Sequence, residues 1–471
     1  VKVLKGKYSW ISEGDIRIDS SFHLSDGRVT RKILEQSPLG NNRLGDVTDE
    51  IFYGGRAKRI YVENEIVGVP FMGSSDMLKS DFSSLKYISR KITKNIEQSY
   101  LKEGWTLVTR SGTVGKTAYV NKNFEEKTAS EHIIRVVPCD NIKSGYLYSF
   151  LSSKFGYSLM TQGTFGAVIQ HIEPDYLAAL PIPILKEIIQ QQSHNLILEA
   201  SSLRFEANTM LKSAQRKLKV YTNLNDLKTD AYEYFGNQSN NRKVSAFKRN
   251  ISEITPISIN AFNYSKRIEK LEENVKSGKY LSLAECLNDK KFFSTSSFQR
   301  LELDSPTAIK LINQSDIFHI KKQGKMLARK FVKADKLVEY GEVIIAGVGT
   351  LGENETFCRA IFANEELEGQ LISGEFLRMK TNMKVPPGYL YCWLASDYGF
   401  RFIRKTQSGT KLCRPIHKLL ELIPVPIIED KLMNEIDEIV KHAHKKLYDA
   451  YNKEMSAIKL IEKEIESWQK S

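Results

Sequence analysis

The chain has 471 residues, enough for two to four domains that each bury a core. Its 41% hydrophobic and 27% charged content is that of an ordinary globular protein, not of a disordered or fibrous one. Lys and Arg number 69 against 56 Asp and Glu, a net charge of +13 that points to a polyanionic partner. Cys139, Cys286, Cys358, Cys392 and Cys413 form no Cys-x-x-Cys, so neither a zinc site nor a disulfide scaffold is expected. There is no signal-peptide pattern and no apolar run of membrane-spanning length, which leads to the expectation of a reducing, cytoplasmic setting.

Three strand-like runs come first: RIYV (59–62), WTLVT (105–109) and IIRVV (133–137). Between the second and third lies TLVTRSGTVGKTA (106–118), whose Gly115-Lys116-Thr117 invites comparison with a phosphate-gripping loop. Such a loop needs a glycine five positions before Gly115, because backbone N–H groups must wrap the phosphates; Arg110 stands there. It must also open a helix, whereas Ala118-Tyr119-Val120-Asn121 reads as strand and turn. No ATP site is expected.

A helix is predicted in YLYSFLSSKFGYSLM (146–160), then a glycine-containing loop, GTFGAVIQHI (163–172), and the exit LPIPIL (180–185). From Pro183 to Gly236 the chain has no proline or glycine. Leu196, Ala200, Leu203, Ala207, Leu211, Ala214, Leu218 and Tyr221 step by threes and fours, which predicts an amphipathic helix with one buried stripe. GNQSNNRK (236–243) is polar and bears a glycine, as a hinge would.

Beyond it come VIIAG (343–347) and FLRMK (376–380) as strands and YLYCWLASDYGFRFI (389–403) as helix. VIIAGVGTLG (343–352) spells G-x-G-x-x-G, but ENETFCRAIFA follows as turn and strand where a dinucleotide fold needs a helix. After Pro426, Leu432, Ile436, Ile439, Ala443, Leu447, Tyr451, Met455, Ile458, Ile461, Ile465 and Trp468 predict a second long helix. At ~1.5 Å per residue each long helix runs on the order of 50 Å.

The two nucleotide-like stretches explain each other. GWTLVTRSGTVG (104–115) lies over GEVIIAGVGTLG (341–352), GYLYSFLSSKFG (145–156) over GYLYCWLASDYG (388–399), and LPIPIL over IPVPII (423–428). Upstream, IDSSFH (18–23) matches INAFNY (259–264) and SSDM (74–77) matches QSDI (314–317); Ser130 and Arg135 correspond to Ser373 and Arg378. The offset stays near ~240 residues, far too long for a solenoid repeat. It predicts two copies of one α+β domain, each followed by a long helix, with the two helices pairing as an antiparallel coiled coil. The expected boundaries are 1–185 for the first globular domain, 186–235 for the central helix and 236–245 for the linker. The second globular domain is expected over 246–428 and the C-terminal helix over 429–471.

This ordered set resembles the specificity (S) subunits of type I restriction–modification systems. The features that carry the resemblance are the glycine–strand–G-T-aliphatic-G turn, the G-Y-L-Y helix, the glycine loop, the I-P-[IV]-P exit and the long helix behind it, all present twice. The resemblance implies two target recognition domains, each reading half of a split DNA sequence, with the helix pair setting the gap. It implies a non-catalytic subunit that recruits DNA adenine methyltransferase (M) subunits, two of them, and restriction/translocase (R) subunits. S-adenosylmethionine, ATP and Mg would belong to those partners, and this chain would hold no cofactor or metal. Because the copies differ, the site should not be a palindrome.

Candidate DNA contacts are basic or amide side chains on loops beside the repeated turns. In the first copy these are Arg56, Lys58, Arg110, Thr113, Lys116, Gln162, Thr164, Gln170 and His171. In the second they are Lys321, Lys322, Lys325, Arg329, Lys405, Gln407, Lys411 and Arg414. The second copy departs from the first by following Gly409 with TKLCRPIH and by carrying Glu353 in place of Lys116, read as licence for a different half-site. Arg135 and Arg378 recur inside strands and are read as structural. His442 and His444, two apart on a helix, face different sides and make a poor metal pair.

No [DN]-P-P-[YF] methyltransferase motif occurs, the Pro386-Pro387 step being Val385-Pro-Pro-Gly388, and neither H-E-x-x-H nor G-x-S-x-G is present. Two other readings stay open: a specificity subunit of another bipartite-site system, such as a type IIB enzyme, and a coiled-coil scaffold without a DNA role.

Overall fold

The computed structural model describes residues 18–55, 59–91, 96–165, 170–236 and 246–468. Arg56, Lys58 and all but Gly236 of the expected linker lie outside the described residues. The chain divides into two compact units, Val1–Phe205 with Asp449–Ser471, and Glu206–Tyr448.

In the first unit a four-stranded antiparallel sheet runs in the order Thr48–Phe52, Ile133–Pro138, Thr106–Thr109, Thr117–Tyr119. Its central strands are buried over Thr106–Thr109 and 133–136 and rich in Ile, Val and Thr, which suit a pleated surface covered on both faces. A second sheet orders Tyr61–Val62, Lys86–Ser89, Gly68–Met72 and Thr128–Ala129, the last pair parallel. Asn41–Arg43 pairs with the proline exit Pro181–Pro183.

The second unit uses the same pairings. Ala360–Phe362, Val343–Ala346 and Phe376–Met379 form one sheet. Lys325–Ala328, Ala308–Ile312 and Leu371–Ile372 form another, again with its last pair parallel. Tyr280–Ser282 pairs with Pro424–Pro426. Leu107 stands opposite Arg135 in one unit and Ile344 opposite Arg378 in the other, so the recurring arginine keeps its register. The glycine that opens each turn has φ near 90°, +89° at Gly104 and +82° at Gly341, a left-handed conformation that a side chain would strain.

Both nucleotide-like loops run into strands, Thr117–Tyr119 and Ala360–Phe362, so neither opens the helix that phosphate binding needs.

Each expected helix after the turn is in fact two. Ser144–Ser152 and Lys154–Gln162 break at Ser153 (ψ 162°), whose hydroxyl caps the Gly156 N–H; Pro387–Ala395 and Asp397–Lys405 break at Ser396 in the same way. Two helices without a counterpart in the sequence reading, Asp26–Leu34 and Lys266–Lys276, also belong to the units.

The repeated G-Y-L-Y motif has a packing reason. A Cβ on Gly145 would lie 2.8 Å from His194 Cα, and one on Gly388 would lie 2.7 Å from Asp437 Oδ1 and 2.9 Å from the Asp437 carbonyl oxygen. The glycines therefore let the long helix of the same copy come close. Their N–H groups donate to it as well, to His194 Nδ1 (3.1 Å) and Asp437 Oδ1 (2.6 Å). The tyrosine that follows closes the latch: Tyr146 Oη donates to the Pro183 carbonyl and Tyr389 Oη to the Pro426 carbonyl (2.7 Å). The G-Y-L-Y and I-P-[IV]-P motifs are thus two ends of one contact.

The long helices span Glu187–Tyr221 and Asp430–Ser467. The central one stops short of the expected residue 235. Asn223 is left-handed (φ 52°), its N–H bonds the Val220 carbonyl and the Leu224 N–H bonds the Lys219 carbonyl, a pattern that ends helices. In the first unit Ile197 clusters with Ala457, and Arg204 pairs with Glu454. In the second, Glu206 pairs with Lys446 and Lys217 with Glu435, both at 2.7 Å. Ile461, Ile465 and Trp468 complete the core of the first unit beside Leu147, Phe150 and Ile182.

His442 is exposed and His444 buried, facing opposite sides. The His444 ring packs against Phe362 and Tyr391 at 5.0 and 5.2 Å. Burial, and then the charge of Lys322, pulls its pKa from 6.5 down to about 3. The folded state therefore holds the neutral ring, and its stability is undiminished above pH 6.5. Below that the unfolded chain takes up the proton first, so stability is lost as pH falls from 6.5 toward 3. The expected loss at pH 5 is about 2 kcal/mol. Urea midpoints at pH 7 and pH 5 check this; His444→Phe is expected to flatten the difference, and an unchanged difference rules His444 out as its source.

Among the described residues no helix is long and apolar enough to cross a membrane, and no group of three or more His, Cys, Asp or Glu could hold a metal ion.

Candidate nucleic-acid interface

The turn Arg110–Gly115, Phe165 and the segment from Gln170 to Ile172 form one edge of the first unit. Ser111 pairs with His171 across it, and His171 pairs with Phe165. The Arg110 N–H donates to the His132 carbonyl, which brings the start of the Ile133–Pro138 strand to the same edge. The second unit builds this edge again: Ser408 pairs with Arg414 as Phe165 does with His171, and the Gly349 N–H donates to the Cys413 carbonyl (3.1 Å) as the Gly112 N–H does to the Gln170 carbonyl (3.3 Å).

The candidate residues separate by burial. Thr113, Gln170, Lys411 and Arg414 are exposed on these edges. Lys116 is half-buried, its ammonium 4.5 Å from the centre of the Tyr157 ring. Thr164 caps its own turn by donating to the Thr161 carbonyl. His171 is half-buried, its Nδ1 2.8 Å from Ser111 Oγ.

Others are held by the fold. Arg110 pairs with Glu173 and lies 4.2 Å from the centre of the Tyr53 ring. Gln162 is buried, accepting from Arg31 Nε at 3.0 Å against the Asp26–Leu34 helix. Its counterpart Lys405 pairs at 2.9 Å with Glu272 of the Lys266–Lys276 helix, so both secure the same helix junction. Gln407 is buried, and its carbonyl accepts from Asn263 Nδ2 at 2.9 Å. Lys322 pairs with Glu366 in a mostly buried contact, whereas Lys325 pairs with Glu302 in solvent. Arg329 donates to the Val332 carbonyl. Lys321 lies beside them, half-buried.

Glu353 replaces Lys116 for a packing reason. It lies inside the second unit, 2.6 Å from Arg401 and 3.3 Å from Arg404, and accepts the Phe235 N–H at 2.8 Å. Although burial opposes ionisation, the two guanidinium groups hold its carboxyl below the usual range. The Lys-to-Glu difference is therefore answered by Arg401 and Arg404 rather than by a new surface contact.

Arg135 and Arg378 are both buried in strands, as expected of structural residues. Arg135 donates to the Ala129 carbonyl at 2.7 Å with Phe52 beneath it, and burial pulls its pKa down to about 10. Arg378 makes a two-pronged pair with Glu342, both contacts 2.7 Å.

Sequence reading missed a polar chain at the first edge. Ser111 Oγ lies 3.0 Å from His132 Nδ1 and 2.8 Å from His171 Nδ1. His132 Nε2 lies 3.6 Å from Glu131, which pairs with Arg59. The signal was the Ser-Glu-His triplet just before the IIRVV strand, two positions from where that strand joins the turn.

Residues 41–213 match the family model described as "Type I restriction modification DNA specificity domain". No curated protein matches. Among solved structures, the S subunit of a type I restriction-modification system from M. genitalium is 14% identical, with 90% of this chain and 94% of that one covered and a TM-score of 0.36. The HsdS subunit from Thermoanaerobacter tengcongensis is 10% identical, with 90% and 98% covered and a TM-score of 0.27. A chain from a structure titled for complex assembly and conformational transition of the type I R-M system is 12% identical, with 92% and 98% covered and a TM-score of 0.26. With TM-scores this low the whole-chain superpositions are loose, and the assignment rests on the matched domain. Over residues 41–213 the chain is similar to the type I restriction modification DNA specificity domain family, the family that the twice-repeated motifs resemble.

Proposed function

We propose that the chain is the sequence-specific DNA-recognition subunit of a type I restriction–modification complex and reads an asymmetric, bipartite site. The observation that carries this reading is the pair of edges just described. The backbone pairing of Phe165 with His171 recurs as Ser408 with Arg414, while the side chains presented there differ. A common frame with unlike side chains is what two unlike half-sites require. The matched domain in the first copy and the net charge of +13 support the same reading.

The chain is then two copies of one domain. Residues 1–185 and 246–428 are the recognition domains, 236–245 the linker, and the helices within 186–235 and 429–471 the spacer. Antiparallel pairing of those helices is supported by contacts whose numbers fall on one helix as they rise on the other, Glu206 with Lys446 and Lys217 with Glu435. The spacer sets the gap between half-sites. The chain itself does no chemistry: it recruits two methyltransferase subunits that carry S-adenosylmethionine and restriction subunits that use ATP and Mg, in the cytoplasm.

Random duplexes selected on the purified protein, with any methyltransferase that copurifies, test this. Two unlike short motifs at one fixed gap are expected, with affinity falling about 10³–10⁵-fold between 50 and 200 mM salt for six to ten phosphate contacts. Shortening both long helices is expected to change the gap. No enrichment at low salt with the partner present would leave the scaffold reading. Enrichment with a different copurifying enzyme would assign the chain to another bipartite-site system.

A further inference from the structure

We infer that the first copy reads an exocyclic amino group of a base through His171 Nε2, and that the second copy reads guanine through Arg414 at the equivalent position. The inference rests on the DNA-reading function proposed above and adds the polarity of each contact.

The polarity follows from counting hydrogens along the chain at the first edge. A neutral imidazole carries one N–H, and a serine hydroxyl has one hydrogen to give. Although burial opposes ionisation, a hydrogen bond from its own backbone N–H and the paired Arg59 keep the Glu131 carboxyl below the usual range. Glu131 can only accept, and its negative charge 3.6 Å from His132 Nε2, beyond hydrogen-bond range, favours the neutral tautomer that carries its proton on that nitrogen over the one that turns a lone pair toward the carboxylate. His132 Nδ1 is then bare and accepts from Ser111 Oγ at 3.0 Å. Having given its hydrogen to His132, Ser111 Oγ accepts from His171, whose Nδ1 lies 2.8 Å away. His171 thus carries its proton on Nδ1, and Nε2 is an acceptor.

An acceptor on a base edge in the major groove meets the adenine N6 or cytosine N4 amino group and is repelled by guanine O6 and N7. Arg414 is exposed on the matching hairpin, and a guanidinium has donors only, suited to guanine O6 and N7. Ser111 is aligned with Val348 and His132 with Glu375, so the second copy has no serine or imidazole to rebuild the relay. The two halves of the site therefore differ in hydrogen-bond sense at one corresponding base pair.

The test is duplex selection followed by sequencing on the full chain with its copurifying partner, comparing the parent with three variants. His171→Arg is expected to move one position of one half-site from adenine or cytosine to guanine, by about tenfold or more in enrichment, and to leave the other half-site alone. The base preferred by the parent at that position tells adenine from cytosine. Ser111→Ala, which frees the tautomer of His171, is expected to relax the preference at that same position. Arg414→Gln, on an exposed residue that folding does not depend on, is expected to move the other half-site from guanine to adenine. A parent that selects a clear motif while His171→Arg and Arg414→Gln leave it unchanged overturns the inference alone. A parent that selects no motif overturns the DNA-reading function, and this inference with it.

Discussion

Glu342→Ala is expected to destabilise the second unit by about 3–5 kcal/mol, because it leaves the Arg378 guanidinium buried with no counter-charge. Both side chains are 1% exposed, and the pair is held by two 2.7 Å contacts. Arg378 also donates to the Leu337 carbonyl at 2.6 Å and the Lys336 carbonyl at 2.8 Å, so it cannot swing out to water without breaking the loop before the strand. Urea unfolding followed by tryptophan fluorescence, with Trp393 in the core of that unit, gives the measurement. Replacing both partners with apolar residues, Glu342→Leu with Arg378→Met, should recover much of the loss, since neither charge is then left buried without its partner. A loss below about 1 kcal/mol for Glu342→Ala, the range of a solvent-exposed pair such as Lys325 with Glu302, would mean the buried pair is replaced by water.

Gly388→Ala is expected to cost about 2–3 kcal/mol and Gly388→Val more, by pushing the Asp430–Ser467 helix off its own domain. The added carbon would lie within 3.1 Å of three Asp437 atoms, two of them backbone, so no rotamer change relieves it. The same shift also lengthens the 2.6 Å bond from the Gly388 N–H to Asp437 Oδ1. Thermal melts are expected to drop by several degrees, at about 2–4 °C per kcal/mol for a unit of this size. Gly278→Ala is the control, as its new carbon would have only an ordinary 3.7 Å contact with the Val275 carbonyl oxygen. Equal melting temperatures for the two variants would dismiss the latch.

The parts legible in the sequence were those written in short-range pattern. The turn glycines, the G-Y-L-Y and I-P-[IV]-P motifs and the apolar stripes of the long helices each occupy a few neighbouring positions and occur twice, so comparison alone exposed them. Arg135 and Arg378 were legible as structural because they sit in apolar strands. The candidate interface was harder, because a lysine or arginine on a loop looks the same whether it meets solvent or a distant carboxylate. Arg110 is answered by Glu173, Lys322 by Glu366 and Lys405 by Glu272, partners that chain folding brings from far along the sequence. Gln162 and Gln407 read as base-reading amides yet are buried at helix junctions for the same reason. The break at Ser153 was missed since a single capping hydroxyl hardly disturbs a helical apolar pattern. The Ser111 relay escaped notice because its members come from three separate segments.

Ile461, Ile465 and Trp468 fill a core whose other buried residues are all among the first 205. A ribosome working at about 5–20 residues per second finishes those 205 residues roughly ten to fifty seconds before it reaches the segment that closes their core. Through that interval the newborn first unit lacks three of the apolar side chains that fill its core, and holding chaperones have a defined reason to wait there. A premature stop late in the message would accordingly injure the domain made first and leave the one made second, Glu206–Tyr448, with every residue of its own.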